Sequence, residues 1–287
     1  MQADVYFLRP EAKFAREKPY GFKFPPQDVR IPRSNMERLT YTCNVADMRS
    51  TQQTFNIEQN GFTVFNLGDN LDLSYEDYHD DQKVQPYFRL LEAMLRDHLG
   101  ARQVKVFRWG FRKRHAQWPI PTVTTYADDQ PTTVAHIGKW RSLTIAYATL
   151  GEAAREVRLQ EREHANTLLA RRFQWFNFWK PLKGPLNDWP LLLCDSSTVD
   201  KSLDLTSSDL IYTDHAAENV QIYFSSKHQW FYLKDHDINE VLVFKQADSE
   251  KTACSGVPHC SAYNPLAPAD ESPRESIEVR ALVYYDD

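Results

Sequence analysis

Cysteine is scarce in this chain of 287 residues. Cys43, Cys194, Cys254 and Cys260 are too few and too scattered to form a disulfide framework, which is typical of a protein that folds in a reducing compartment. Cys254 and Cys260 lie close to His259 in the sequence, but no second cluster follows at the spacing of a zinc site. We therefore predict neither disulfides nor structural zinc.

Long apolar runs and an excess of basic residues are also missing. No stretch approaches the roughly 20 apolar residues of a membrane-spanning helix, and the opening residues MQADVYFLRP contain no apolar signal core. The net charge of −5 and the pI near 6.0 argue against nucleic acid or an anionic membrane as the main partner. The expectation is a soluble, cytoplasmic protein that binds neither.

The chain does contain enough apolar residues for a large core. Hydrophobic residues make up 42% of it, and no repeat or long linker marks a boundary, so we predict a single domain spanning residues 1–287. Residues 9–33 contain five prolines and seven lysines or arginines, which disfavours regular structure. We expect this segment to form an extended arm over the domain or over a partner.

Short apolar and β-branched segments outnumber helical patterns. A helix is predicted at 86–99, with Pro86 in its first turn and Gly100 at its end, and a second helical region at 142–172, broken near Gly151. In residues 173–179, the odd-numbered and the even-numbered positions are both mostly apolar or aromatic, as in a central strand that is covered on both faces. Further strands are predicted within 39–65 and at 104–111, 132–137, 191–194, 220–224, 228–233 and 241–245. This mainly β chain with flanking helices (α+β) favours a jelly-roll barrel.

The final strand alternates between apolar and polar residues. Ile277, Val279, Ala281 and Val283 share one face, and the other face carries Arg274, Ser276, Glu278 and Arg280. Such a polar face commonly meets water. Inside a small barrel, it would instead form a binding face.

Two histidines and an Arg-x-Ser sequence follow the order of a non-haem iron site. Such oxygenases hold Fe(II) with two histidines and one carboxylate, and a later arginine pairs with the far carboxylate of 2-oxoglutarate. His136 and His259 are the candidate ligands, with Arg274 and Ser276 as the candidate anion site. The alternative is that both histidines are hydrogen-bonded core residues. Arg280 lies about 20 Å farther along the strand from Arg274, so both cannot hold one small dianion.

Several segments resemble one known oxygenase family. The resemblance is strong across 170–285 and looser across 41–111. The matching segments are FNFWKPL from Phe176, PLLLCD from Pro190, HQWFY from His228, NEVLVFK from Asn239 with Asp248 and Ser249, His259 through Arg280, and, in the looser part, DMRS from Asp47 and NGF from Asn60. The family is the group of Fe(II)/2-oxoglutarate oxygenases that includes gibberellin desaturase-like proteins, the cephamycin methoxylation component and fungal meroterpenoid oxygenases.

The resemblance implies a double-stranded β-helix, the cupin-like form of the jelly roll, and a role in secondary metabolism. It also implies Fe(II) and 2-oxoglutarate as cofactors, with His259 as the distal histidine. Arg274 would anchor the cosubstrate, Ser276 would assist and Lys180 would contact it. The expected chemistry couples decarboxylation of 2-oxoglutarate to oxidation of an unactivated C–H bond. A terpenoid-like substrate is expected, and Trp175, Phe178 and Trp230 are either pocket residues or core residues.

The chain departs from the family pattern at three positions. Gly138 replaces the aspartate of His-x-Asp, so the anionic iron ligand is missing, and the adjacent Lys139 would oppose a dication. Lys180 replaces the arginine of Asn-x-Trp-Arg-Pro-Leu, and Trp109 stands where the family usually has a histidine.

Three hypotheses account for Gly138. In the first, the chain is a non-catalytic subunit that pairs with an active oxygenase paralogue. We favour this hypothesis because it also explains the departures from the family pattern at Lys180 and Trp109. A hetero-oligomer is then expected, with a homodimer as second choice, and the iron site of this chain stays empty. The alternative is an active hydroxylase, desaturase or halogenase with a two-histidine iron site, in which water or halide takes the vacated position. The third hypothesis is an accidental or engineered Asp→Gly change in an ordinary enzyme.

Overall fold

Strands dominate the computed structural model, which describes residues 1–68, 71–119, 128–138, 150–214, 216–250 and 254–286. The strands are β1 (Gln2–Leu8), β2 (Tyr20–Phe22), β3 (Arg38–Asp47), β4 (Phe62–Asn66), β5 (Gln103–Lys113), β6 (His136–Ile137), β7 (Phe173–Pro181), β8 (Leu191–Cys194), β9 (Leu205–Ile211), β10 (Ala216–Ile222), β11 (Trp230–Tyr232), β12 (Glu240–Asp248), β13 (His259–Ser261) and β14 (Glu275–Tyr284). The α-helices are α1 (Gln85–Leu99), α2 (Leu150–Glu161) and α3 (Ala165–Leu169).

The strands form two sheets. In the described residues, one sheet has the order β1-β3-β11-β8-β13-β6-β10-β9-β2 and the other β4-β12-β7-β14-β5. Neighbours pair antiparallel except β3 with β11 and β2 with β9. Phe62, Trp179 and Phe244 of the second sheet share a buried cluster with Leu193 and Phe231 of the first, so the sheets pack face to face. The predicted jelly-roll, or double-stranded β-helix, is confirmed.

The last strand, β14, has a buried residue at every position. Ile277, Val279, Ala281 and Val283 pack against helix α1 on the outer side of the five-stranded sheet. The alternate residues are also buried, and Arg274 and Glu278 line a cavity with side chains of the other sheet. The polar face therefore lies inside the barrel, where it is available for binding.

The strongest sequence patterns correspond to elements of the structure. Helix α1 has a proline in its first turn and ends at Gly100, which adopts the left-handed conformation with φ of 60°. Strand β7 lies at the centre of its sheet and is buried throughout. The four cysteines are free thiols.

Other expectations need correction. The arm at 9–33 is not wholly irregular, since β2 pairs in parallel with β9. It therefore packs on its own chain. The strand predicted at 132–137 shortens to β6 with an isolated bridge at Val134, and β1 and β9 were not predicted. The helical region contains α2 and α3 with Gly151 in the first turn of α2, whereas 139–149 lie outside the described residues.

A buried ion cluster joins β12 to the rest of the five-stranded sheet. The Lys245 ammonium lies 2.9 Å from the Asp248 carboxylate, and neither side chain is exposed. Arg172 and Gln174 also donate to Asp248, at 2.9 and 2.6 Å. Burial raises the pKa of Asp248, but Arg172 and Lys245 outweigh it and hold the pKa below its usual value. The carboxylate therefore stays charged and balances two cations.

We expect Asp248→Ala to lower the free energy of unfolding by about 3 kcal/mol, because it removes the buried counter-ion of Lys245 and leaves only the half-exposed Glu58 carboxylate, 3.2 Å away. Urea unfolding measures the effect. Lys234→Ala is the control, since Lys234 lies 3.9 Å from Asp235 in an exposed pair, and it should cost less than about 1 kcal/mol. Equal losses in the two variants would contradict a structural role for the buried cluster.

Candidate active site

The two candidate iron ligands meet across neighbouring strands. His136 of β6 pairs directly with His259 of β13, so both side chains lie on the same face of the nine-stranded sheet. Their ring centroids are 4.7 Å apart and both residues are buried, with exposures of 2% and 7%. Two residues separated by more than a hundred positions in sequence therefore present their imidazoles side by side.

The hydrogen bonds of the two rings select one tautomer. The Nδ1 atom of His136 lies 2.7 Å from the Val134 carbonyl, and that of His259 lies 3.0 Å from the Val257 carbonyl. A carbonyl only accepts, so each Nδ1 carries the proton and each Nε2 keeps its lone pair. Burial lowers the pKa of His259, which keeps its ring neutral. This is the form in which an imidazole binds a metal.

Arg274 is held rigidly at the head of β14. It is 1% exposed, and its Nη1 donates to the Trp189 carbonyl at 2.6 Å and to Ser261 Oγ at 2.5 Å. Trp189 has φ of 46°, a strained conformation that aims its carbonyl at the guanidinium. Burial, and then the nearby Arg112, lowers the pKa of Arg274 to about 9. The site therefore holds a buried cation beside a second one.

Two polar atoms at this end of β14 have no hydrogen-bond partner in the described part of the chain: Arg274 Nε and Ser276 Oγ. Leaving a buried polar atom unpaired costs about 1–3 kcal/mol, so such atoms commonly mark a ligand site. A carboxylate would accept from both. Such donors suit the distal carboxylate of 2-oxoglutarate, and the assignment of Arg274 and Ser276 to it stays a prediction.

Arg274 and the two histidines line one cavity. The space that water can occupy there is about 20 Å³, roughly one water molecule. The residues around it are Arg112, Thr132, His136, Trp179, Leu191, His259, Cys260, Ser261, Arg274 and Glu278. The donor set fits an iron ion with an acid beside it, but a molecule the size of 2-oxoglutarate fits only if lining side chains move apart.

The carboxylate position of the site is vacant. Gly138 is buried and has φ of 71°, a conformation that favours glycine. In the part of the chain that the structure describes, no three His, Cys, Asp or Glu side chains are placed to hold a metal. Lys139, which was expected to oppose a dication, lies outside the described residues.

Glu278 supplies a negative charge close to the histidines. It is the one carboxylate among the described residues that line the cavity, and its Oε1 accepts from Arg280 Nε and Nη2, each at 2.8 Å. Burial raises its pKa, but Arg280, Arg112 and His259 together lower it, so the group is ionised. Arg280 is thus engaged by Glu278, whereas Arg274 faces the cavity.

Two departures from the family pattern lie away from this cavity. The Lys180 ammonium lies over the ring of Tyr78 at 4.5 Å and donates to the Ile238 carbonyl at 2.8 Å. Trp109 packs on Phe88 of α1, with ring centroids 4.8 Å apart. Both side chains lie on the α1 side of the five-stranded sheet. The prediction that Lys180 contacts the cosubstrate is therefore corrected, and neither residue reports on the state of the iron site.

Several site residues were missed from the sequence. Ser261 follows His259 by two positions in β13, and the period of a strand would have placed it on the same face. Arg112 pairs with Ser276 across β5 and β14, a register that the sequence does not reveal. The three aromatic residues considered for a substrate pocket, Trp175, Phe178 and Trp230, lie in three separate core clusters.

Comparisons with known proteins identify the family of this chain. Residues 5–284 match the family model described as Oxidoreductase/YMDC permease-like domain. The chain is 27% identical to the Fe(II)/2-oxoglutarate-dependent dioxygenase nvfI of Aspergillus novofumigatus, over 99% of this chain and 96% of that protein. It is 33% identical to aspirochlorine biosynthesis protein N of Aspergillus oryzae, over 61% and 74%. No helix among the described residues is long and apolar enough to cross a membrane.

The fold of the whole chain is also similar to that of a solved structure. The iron and alpha-ketoglutarate-dependent endoperoxidase NvfI superposes with a TM-score of 0.81 at 25% identity, covering 100% of this chain and 98% of that one. The cofactors of the family, Fe(II) and 2-oxoglutarate, match the donors found in the cavity. This chain belongs to the family of Fe(II)/2-oxoglutarate-dependent oxygenases of fungal secondary metabolism.

Proposed function

We propose that this chain is an active Fe(II)/2-oxoglutarate-dependent oxygenase, a hydroxylase or desaturase that uses a two-histidine iron site. One observation carries the proposal: Arg274 lines the cavity together with the paired imidazoles, and its buried Nε, like Ser276 Oγ two residues along the strand, has no hydrogen-bond partner among the described residues. A protein that had lost its cosubstrate would gain stability by replacing these atoms with apolar groups. Their retention supports a site that still binds an acid.

Each side chain has a defined role in this proposal. His136 and His259 would hold Fe(II) through Nε2, while their carbonyl partners keep the rings oriented. Arg274 and Ser276 would bind the distal carboxylate of 2-oxoglutarate. When bound, Fe(II) and 2-oxoglutarate would activate dioxygen, the oxidant: one of its oxygen atoms enters succinate as 2-oxoglutarate is decarboxylated, and the other supplies the oxidation of a substrate C–H bond.

The charges around the cavity suggest a fixed order of binding. Arg112 and Arg274 face the cavity, and Glu278 is the one carboxylate among its described lining residues. A dication brought in alone meets two buried cations, whereas the 2-oxoglutarate dianion first neutralises them. The cosubstrate should therefore strengthen metal binding.

Gly138 favours halogenation as a second candidate activity. Its position lacks a side chain and follows His136 by two residues, where the family has its carboxylate. A chloride ion could occupy the vacated coordination position, and water would occupy it in a hydroxylase. Glu278 would then be the nearby protein carboxylate that balances part of the metal charge.

The non-catalytic subunit has lost part of its support. Lys180 and Trp109 favoured it, and both lie on the other side of the sheet from the cavity. Gly138 alone is compatible with either state. Pairing with a catalytic paralogue, a homodimer, and a terpenoid-like substrate remain predictions.

Metal and cosubstrate binding test the proposal directly. We expect one Mn(II), as an air-stable substitute for Fe(II), to bind per chain, and 2-oxoglutarate to tighten that binding about tenfold or more. Calorimetric titration measures both.

Arg274→Met should weaken 2-oxoglutarate binding about 100-fold, because it removes the buried cation that pairs with the carboxylate of the acid.

Lys180→Met is the matched control, since it removes a buried cation from the other face and should change the affinity less than about threefold. A chain that binds no metal with or without 2-oxoglutarate would support the non-catalytic subunit instead.

Turnover and its chloride dependence distinguish the candidate activities. The isolated chain should form succinate from 2-oxoglutarate when Fe(II) is present, and His259→Ala should reduce the rate about 100-fold or more. Mass spectrometry of a converted substrate with and without chloride separates halogenation from hydroxylation. Gly138→Asp should abolish any chlorination and lower the free energy of unfolding by about 1–2 kcal/mol, because the residue has φ of 71°. Succinate formation that survives His259→Ala would contradict the assigned ligand.

A further inference from the structure

A second cavity meets the candidate iron site at His136. Its water-accessible volume is about 270 Å³, and His136 lines both cavities. One wall is the part of the nine-stranded sheet formed by β6 and β10, with Asn219 and Gln221 of β10. The other wall is the N-terminal arm and the start of β3, with Phe22, Arg33 and Arg38. A molecule in this space would lie beside a candidate metal ligand.

The sheet wall presents two hydrogen-bond acceptors. Gln221 pairs with His136 across β10 and β6, so the two side chains share a face, and Asn219 lies two residues earlier on that face. Both are buried, with exposures of 2% and 1%, and neither Gln221 Oε1 nor Asn219 Oδ1 has a partner among the described residues. A ligand here would satisfy them with hydroxyl or N–H donors.

The hydrogen bonds of Ser208 favour one orientation of the Gln221 amide. Ser208 Oγ donates to the Asn219 backbone carbonyl at 3.3 Å, so it accepts at its other side. Gln221 Nε2 supplies that donor at 2.9 Å. The carbonyl end of Gln221 is therefore the end left unpaired.

The arm wall presents an uncompensated cation. Arg38 Nη1 is buried without a hydrogen-bond partner, and no carboxylate of the described residues lies within ion-pair distance of Arg38. Burial alone lowers its pKa to about 10. Water in the cavity can satisfy the N–H groups, but only an anion balances the charge.

We propose that this cavity is the substrate pocket and that it takes a small substrate with a carboxylate, held by Arg38, and a hydroxyl or N–H group held by Gln221 and Asn219. The proposal rests on the proposed oxygenase function, because the cavity lies next to the iron site only through His136, which lines both. It narrows the expected terpenoid-like substrate to one that carries an acid, since a purely apolar skeleton would leave the polar walls unpaired.

Binding to metal-free protein without 2-oxoglutarate tests the pocket independently of the iron chemistry. The probes are N-acetyl-L-phenylalanine and perillic acid, each with its methyl ester, titrated by calorimetry. At least one acid should bind about tenfold tighter than its ester, and Arg38→Gln should reduce that preference below about twofold. Arg38→Lys should keep part of it, because the charge remains.

Arg30→Gln is the control, because Arg30 lies in the same arm with its side chain 87% exposed. It should leave the preference for the acid unchanged. Equal binding of acid and ester, no binding of either acid at millimolar concentration, or a preference that survives Arg38→Gln would each overturn the proposal. The last result would place the acid at another cation, either Lys23 or Arg33 of the same cavity or Arg274 of the iron site. None of these outcomes depends on whether the chain forms succinate, so the two proposals can fail separately.

Discussion

The pairing of His136 with His259 is the constraint on which the site depends. The two residues come from different parts of the chain and meet only because β6 and β13 are neighbours in one register. A shift of either strand by one residue would turn its imidazole to the opposite face, which carries the apolar cluster with Ala135 and Cys260, and the two rings would no longer meet. Gln221 continues the same row on β10. One backbone register thus sets the candidate metal ligands and a wall of the adjacent cavity together.

Much of this could be predicted where the sequence pattern had one physical interpretation. Helix α1 has an apolar stripe, a proline at its start and a glycine at its end, so its bounds were nearly correct. The alternation in β14 placed Arg274 and Ser276 on one face, and the cavity that Arg274 and Glu278 share with residues of the other sheet shows that this face is internal. The order of the two histidines and the arginine suggested the chemistry. Strong local periodicity was therefore sufficient for α1 and for the two faces of β14, and the family resemblance supplied the form of the barrel, whereas the iron ligands stay a prediction.

The errors have a common physical origin. Strand β7 is buried on both sides, so its sequence does not alternate and offers no means of assigning Lys180 to a face. The prediction used family position alone, and the lysine packs on Tyr78 instead. Arg112 and Arg38 were missed because their importance comes from tertiary neighbours. The arm was expected to lack strands because its prolines disfavour regular structure, and the three residues of β2 are too few to form a recognisable strand pattern.

The arm also has a consequence for folding order. Tyr20 pairs with Asp209, so the wall that carries Arg33 and Arg38 closes only after most of the chain has been synthesised and the sheet has formed. Contacts of such long sequence separation form late and cost the most loop entropy. The three-residue strand β2 at the sheet edge should accordingly open well below the global unfolding energy, as a separate cooperative unit seen in hydrogen exchange. The same weak closure that delays the pocket during folding would then let a substrate enter without disturbing the barrel.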